Sequence, residues 1–389
     1  MNLAGVVTGH PADGRALYDR GGWSSWGDVR RRAGRAADGL RGLGVGPGDR
    51  VAIAWPTSVD FVVAYLAVLA VGAVAVPLNP NSPPAELVGE LEAVTPPVLL
   101  AGAVAGGHAG EIGAGVGFAL TTVRPGGTPG WESLAGTVGG ADGDDGRELT
   151  VVERADEETA VLLFTSGTSG APKAAMLSHG NLRANLEQML ALPGEIVRAD
   201  DVSLAAVPLF HVFGLNVALG LTLMAGAGLI LEERFDAADS LRLVRELGVT
   251  NVVGVPAMFA AWVALAEDDP SVVGPGALSG VRRAISGAAA LPAEVAAGFE
   301  KAFGVPVWQG YGLTEAAPAV ATSLGTGRNR PGSVGQPLPG LPVRLVAEAE
   351  QDVLDGDPGE IWVQGANVFA GYFGDAGASA EVLTPSGWL

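Results

Sequence analysis

A nine-residue stretch, Thr165-Ser166-Gly167-Thr168-Ser169-Gly170-Ala171-Pro172-Lys173, gathers four hydroxyl side chains, two glycines and a lysine into one loop. The 389 residues contain only two lysines, Lys173 and Lys301, and arginine supplies the rest of the Lys and Arg charge. Glycines let backbone N–H groups converge on an anion, hydroxyls add short hydrogen bonds, and an ammonium supplies a compact charge, so the combination suits a polyphosphate. The run Ala160–Phe164 reads as a buried strand and puts the loop at a strand end, where open α/β sheets bind ligands. It is not the familiar nucleotide loop, because Gly170 is followed by Ala-Pro-Lys rather than Gly-Lys-Ser/Thr. Standing alone, a Gly/Ser/Thr loop more often only connects two elements.

Two further junctions carry the same kind of information. Between Val307 and Pro318 the chain reads VWQGYGLTEAAP. Gly310 and Gly312 flank Tyr311, which lets the backbone bend while presenting a ring, and Thr314 and Glu315 offer a hydroxyl and a carboxylate fit for a hard cation. Taken alone it reads first as a strand ending in a turn with an exposed Thr-Glu helix start. Ile285 to Pro292 is a second strand-to-helix junction of small residues, where either a flat ligand or simple close packing could use the space. His211 lies in PLFHVFGL between Phe210 and Phe213, and a lone histidine among apolar residues is more often a hydrogen-bonded pocket residue than a metal ligand.

The elements that must position these junctions alternate. Helical spacing over Trp26–Leu43 leads to a strand at Val51–Ala54, and an acidic, apolar helix covers Ala85–Ala93. The apolar run Phe61–Leu78 has about the length of a membrane span, but Asp60, Gly72 and Pro77 punctuate it as a buried helix, turn and strand. A helix is expected over Asn181–Leu190, near Ser178 or His179. Strands at 203–207, 228–231 and 251–255 then alternate with helices at 215–224, 240–247, 256–266 and 292–303. From Gly332 onward short strands, Val343–Val346 and Glu360–Val363, replace helices. The fold class expected is α/β: two consecutive α/β subdomains with mostly parallel sheets flanked by helices (1–185 and 186–330), then a small β-barrel-like subdomain (331–389). The Gly- and Asp-rich stretch Pro125–Asp145 reads as a surface connection.

Composition narrows the function. A net charge of −19 argues against nucleic-acid partners and requires that any polyphosphate be neutralised locally, by a lysine and a divalent cation. There is no cysteine, hence no disulfide framework and no thiolate zinc site. Asp13, Arg15 and Asp19 interrupt the N-terminus with no apolar signal core, so a cytoplasmic protein without a membrane span is expected.

Together these segments resemble the AMP-forming, adenylate-forming superfamily of acyl-CoA synthetases, aryl-CoA ligases and adenylation domains. Thr165–Lys173 is similar to the family's signature loop, Gln309–Glu315 to its second motif, Pro208–Gly214 to its substrate-side motif, and GEIWVQGANVFAGYF (Gly359–Phe373) to a late segment of its large domain. The resemblance implies that a carboxylate attacks the α-phosphorus of ATP, releasing pyrophosphate, and that coenzyme A or a carrier-protein thiol then takes the acyl group. It implies phosphate contacts from Thr165, Ser166, Gly167, Thr168, Ser169, Gly170 and Lys173. It implies adenine contacts from Ser286, Gly287, Ala288, Gln309, Gly310, Tyr311 and Gly312, an α-phosphate contact from Thr314, and Mg2+ held by Thr165 and Glu315. Thr165, Lys173, Thr314 and Glu315 would carry catalysis. Ending at Leu389, the chain is expected to lack the family's small C-terminal domain and to be impaired without it, leaving a nucleotide- or acyl-binding module as the alternative. Phe210-His211 stand where peptide-synthetase domains carry an ammonium-binding aspartate, so a simple carboxylic acid is expected rather than an amino acid. His211, Phe213, Asn216, Met258, Gly287 and Gly312 are the candidate acid-pocket residues.

Overall fold

The computed structural model describes residues 1–20, 22–124, 148–165, 172–269, 271, 276–327, 329–347, 351–354 and 356–389. Two mostly parallel sheets dominate. In one, six strands run in the spatial order Thr121–Val123, Val98–Ala101, Arg50–Ala54, Val74–Pro77, Thr159–Thr165 and Lys173–Ser178. All neighbours are parallel except the last two, which form an antiparallel hairpin. The other has nine strands in the order Gln336–Pro337, Ala319–Thr322, Val307–Gly312, Arg283–Ser286, Asn251–Gly254, Val202–Ala205, Gly228–Leu231, Arg15–Asp19 and Gly22–Ser25. Its six central strands are parallel. Residues 15–25 thus extend a sheet otherwise built from residues 202–337, so the sheets do not follow a division of the sequence at residue 185. Val343–Val346 and Glu360–Val363 form the small antiparallel pair expected near the end.

The apolar run resolves as its punctuation demands. Helix Val59–Ala70 is capped by Ser58, whose hydroxyl accepts from the Phe61 N–H at 3.3 Å. Gly72, at φ +79, makes the turn that a side chain would disfavour, and Val74–Pro77 follows as a fully buried strand. Val59 and Phe61 through Ala70 are all buried, because this helix is covered by the core on every side. Among the described residues, no helix is long and apolar enough to cross a membrane.

Three local expectations need correction. Lys173–Ser178, where no strand was expected between the loop and the helix, is a strand paired antiparallel with Thr159–Thr165, Thr165 opposite Lys173, with a bulge between Thr159 and Val161. The helix expected over 215–224 starts at Phe213 and runs as a π-helix to Gly220 before an α-helical turn, Leu221–Ala225. The terminal segment is not helix-free: Ala376–Val382 is helical, with the Asp375 carboxylate accepting from the Ala378 N–H at 2.8 Å. Its seven residues, five of them Ala, Gly or Ser, carry too weak an apolar period to announce a helix. The Pro125–Asp145 connection lies outside the described residues, apart from the chain leading into and out of it.

A buried carboxylate sets part of the pH response. Glu232, just past the strand Gly228–Leu231, is only 8% exposed, and the Ser240 hydroxyl lies 2.8 and 3.0 Å from its two oxygens. Burial pushes its carboxyl up to about 7 from an ordinary 4.5. The folded state therefore holds this proton more tightly than the unfolded chain, and stability falls as pH rises from 4.5 through 7. Glu232→Gln is expected to stabilise the protein at pH 8 by about 1–2 kcal/mol and to have little effect at pH 4.5. Thermal unfolding of both proteins across that range checks the expectation; a constant difference at all pH values would contradict it.

Candidate active site

The hairpin that begins at Thr165 and resumes at Lys173 stands at the edge of the six-stranded sheet. The Thr165 hydroxyl is 3.4 Å from the Lys173 carbonyl, closing the neck of the loop. Ser166, Gly167, Thr168, Ser169 and Gly170 lie outside the described residues. A segment from the far end of the sequence then adds to the open edge of the Lys173–Ser178 strand. The Met176 N–H donates to the Gly371 carbonyl at 2.9 Å, Ala370 N–H to Met176 at 3.1 Å, and Phe373 N–H to Ala174 at 2.8 Å.

The same late segment grips the second motif. Phe369 N–H donates to the Glu315 carbonyl at 2.8 Å, and the Asn367 amide donates to the Ala316 carbonyl at 2.8 Å. Helix His179–Leu190 supplies the clamp. Its Asn181 completes a capping box with Ser178 and also donates to the carbonyls of Ala366 and Val368, both at 2.8 Å. One turn on, Asn185 both donates to and accepts from the Ala319 backbone, at 2.8 and 3.1 Å. Two asparagines four residues apart share one helix face, so a single helix fixes the late segment and the second motif together.

The charges meet through one ring. The Tyr372 hydroxyl donates to Glu315 Oε1 at 2.5 Å, while Lys173 Nζ lies 5.4 Å from the centroid of the Tyr372 ring. Burial, reinforced by the Glu315 carboxylate, pushes the Tyr372 phenol far above its ordinary range, so it stays a donor. Among the described residues no cluster of three or more His, Cys, Asp or Glu side chains is placed to hold a metal. A lone carboxylate nevertheless fits magnesium, which keeps several waters and draws its remaining oxygens from substrate phosphates.

The second motif folds as a strand, Val307–Gly312, turned by a short 3-10 segment, Thr314–Ala316, into the antiparallel strand Ala319–Thr322. A Cβ on Gly312 would sit 2.1 Å from the Pro318 carbonyl oxygen, so only glycine allows this approach. Tyr311, at the strand end, leaves 36% of its surface exposed, unusual for a large aromatic side chain. Gln309 is buried, and its side-chain oxygen accepts from the Leu291 N–H at 3.1 Å, which holds the 287–291 turn. In that turn Ala288 adopts φ +66, a conformation that costs a non-glycine residue energy. Ser286 pairs with Gln309 across the sheet, and its buried hydroxyl has no hydrogen-bond partner among the described residues.

The candidate acid residues fall into two groups. Phe213, Met258 and Gly287 converge: a Cβ on Gly287 would lie 2.6 Å from the Phe213 ring, and one on Gly254 would lie 3.0 Å from the Met258 methyl. Gly254 and Gly287 are adjacent, joined by a Gly287 N–H to Gly254 carbonyl bond of 3.2 Å. Asn216 is different. It is buried, and its amide donates to the carbonyls of Ala317 and Leu182 at 2.7 and 3.1 Å, which makes it a brace behind the Thr314–Ala317 turn. His211 is exposed on the turn leading to Phe213, its ring 4.6 Å from that of Phe210. A separate cavity of about 410 Å³ opens further along the nine-stranded sheet, between Asp19, Thr57, Glu232 and Arg242, and includes none of the motif residues.

With this geometry established, comparison with known proteins decides the family. The model of the AMP-binding enzyme family matches residues 4–373. The chain belongs to that family. A feruloyl-CoA synthase from Amycolatopsis sp is 36% identical over 366 residues, spanning 94% of this chain and 69% of that protein. A 4-coumarate–CoA ligase 5 from Oryza sativa subsp. japonica is 33% identical over 94% of this chain and 67% of its own length. The crystal structure of ATP-bound MatB from Rhodopseudomonas palustris superposes with a TM-score of 0.88 at 29% identity, covering all of this chain and 75% of that one. The expected fold class and the adenylate-forming resemblance both hold.

Tyr372 and the two helix asparagines were not singled out as functional in the sequence. Tyr372 lies within the recognised late segment, but nothing local shows that its hydroxyl reaches a carboxylate 57 residues away. Asn181 and Asn185 carried a signal in their helical spacing. The orphaned Ser286 hydroxyl gives a prediction. Removing a buried polar group that makes no bond relieves its desolvation cost, so Ser286→Ala is expected to raise the stability of the ligand-free protein by about 1 kcal/mol. Denaturant unfolding measures this; a loss of 1 kcal/mol or more would mean the hydroxyl has a partner within the protein.

Proposed function

We propose that this chain activates a carboxylic acid with ATP and Mg2+ to an acyl-adenylate and transfers the acyl group to coenzyme A. The observation that carries the reading is the meeting of Lys173 and Glu315 at Tyr372, the lysine over its ring and the carboxylate on its hydroxyl, which offers a cation for phosphates and a carboxylate for a metal at one place. A substrate carboxylate oxygen forms the new bond to the α-phosphorus as the bond to pyrophosphate breaks; the thiol sulfur of coenzyme A then bonds to the acyl carbon as the bond to AMP breaks, and the thiol proton passes to solvent. The carboxylate of the first step is ionised at neutral pH and needs no general base, so positioning and charge neutralisation supply the catalysis of adenylation. Lys173, with the loop that Thr165 opens, holds the outer phosphates; Thr314 bonds the α-phosphate. Tyr311 stacks on adenine, with Ser286, Ala288 and Gly310 along its edge. Glu315 holds Mg2+, which when bound neutralises the triphosphate.

An aryl acid of the hydroxycinnamate class fits best. Phe213 and Met258 pack directly on the bare backbones of Gly287 and Gly254, so the side chains offered to the acid here are apolar rather than polar, and the relatives include the feruloyl and coumarate ligases. No acidic side chain stands at Phe210-His211 to meet an ammonium. An aliphatic acid is the second reading, favoured by a long-chain-fatty-acid–CoA ligase from Bacillus subtilis that is 34% identical over 245 residues.

Stable analogues of acyl-adenylates carrying hydroxycinnamoyl, benzoyl, long-chain and aminoacyl groups separate these readings by thermal shift. A ligand at 100 times its dissociation constant stabilises by about 2.7 kcal/mol, so ranking is direct. The hydroxycinnamoyl compound is expected to bind tightest; best binding of the aminoacyl compound, or of none, overturns the assignment. Lys173→Ala is expected to weaken ATP at least about tenfold, the effect of losing one charge-assisted contact, while leaving the affinity for the free acid within about twofold. Equal losses for both ligands would remove Lys173 from the phosphate site.

A further inference from the structure

We propose that Tyr372 is a positioning residue that keeps Lys173 and Glu315 apart and separately aimed while the site holds no ligand. This inference rests on the adenylation reading above and deepens it. A lysine and a glutamate at one site would ordinarily pair with each other, and that pair would have to break before phosphate or metal could bind. Here no ion pair joins them among the described residues. The Tyr372 side chain, 8% exposed, contacts both instead, with its ring toward the lysine ammonium and its hydroxyl on Glu315 Oε1.

Each contact suits the task. The ring face attracts the ammonium without neutralising it, so Lys173 keeps its full charge for an incoming phosphate. The phenol occupies one carboxylate oxygen and fixes the rotation of the group, and among the described residues no hydrogen bond engages Oε2. The backbone around Tyr372 is held from three directions. Its neighbours Gly371 and Phe373 bond to the Lys173–Ser178 strand, its own N–H donates to the Ser379 hydroxyl at 2.8 Å, and Phe369 bonds to the backbone of Glu315 itself. The tyrosine therefore stands on a platform built from the two segments whose side chains it separates.

The test titrates Mg2+ into protein with ATP and follows thermal stabilisation, with a parallel ATP titration in EDTA. Tyr372→Phe keeps the ring and loses the hydroxyl. The Mg2+ concentration at half effect is expected to rise about five- to tenfold, with metal-free ATP affinity unchanged. Tyr372→Leu removes the ring as well and is expected to weaken metal-free ATP binding severalfold. Adding Tyr372→Phe to Glu315→Gln should produce no further shift in the Mg2+ midpoint. A wild-type protein that responds to Mg2+ and ATP, with a Tyr372→Phe midpoint equal to wild type, overturns this inference alone. A lowered melting temperature with an unchanged midpoint does the same, because it assigns the hydroxyl to stability only. A wild-type protein with no response to ATP and Mg2+ overturns the adenylation reading, and this inference with it.

Discussion

One tyrosine contacts two side chains of opposite charge, its hydroxyl on Glu315 and its ring beneath the Lys173 ammonium. Lys173 and Glu315 come from different sheets and lie 142 positions apart in sequence, and Tyr372 comes from a third segment near the end of the chain. Any disturbance that moved one sheet against the other would break the hydroxyl bond or carry the ring from under the ammonium. The arrangement therefore demands that the two sheets be locked where the three segments meet, and the polar core at that place does the locking. Asn181, Asn185, Asn216 and Asn367 each donate to a main-chain carbonyl of the late segment or of the turn that carries Glu315. Buried amides are costly when unmatched, which is why this cluster specifies one relative placement.

The neighbouring surface is shaped by what is absent. At Gly312, Gly287 and Gly254 a single methyl group would strike a carbonyl, a phenyl ring or a methionine. The absent side chains allow a close hairpin at Gly312 and direct packing of Phe213 and Met258 on the Gly287 and Gly254 backbones. Ser286 and Ala288 add tension of a different kind, an unbonded buried hydroxyl and a left-handed backbone on a residue with a side chain. Departures of this sort gather where a ligand completes the structure.

Much of this was readable in the residues. Strands 228–231, 343–346 and 360–363 fall where alternation and turn residues put them, and Asp60, Gly72 and Pro77 divide the apolar run into its helix and strand. The motif around Tyr311 was visible because glycine, aromatic, hydroxyl and carboxylate stand within seven residues. What escaped depends on partners far away in the chain. The strand Lys173–Ser178 is defined by its pairing with residues 159–165 and by the late segment on its other edge, neither of which leaves a local pattern. Asn216 has the composition of a pocket wall and became a brace, because a carbonyl from helix His179–Leu190 and one from the turn at Ala317 face it.

Hydrogen exchange on the whole chain, with and without ATP and Mg2+, addresses the central claim most directly. If Lys173, Glu315 and Tyr311 surround one nucleotide, ligand should slow exchange together in 172–178, 286–291, 309–317 and 369–373, with the region around Asp19 and Arg242 unchanged. Protection confined to one of those four segments, or centred on the cavity beside Glu232, would contradict a single nucleotide site built at the junction of the two sheets.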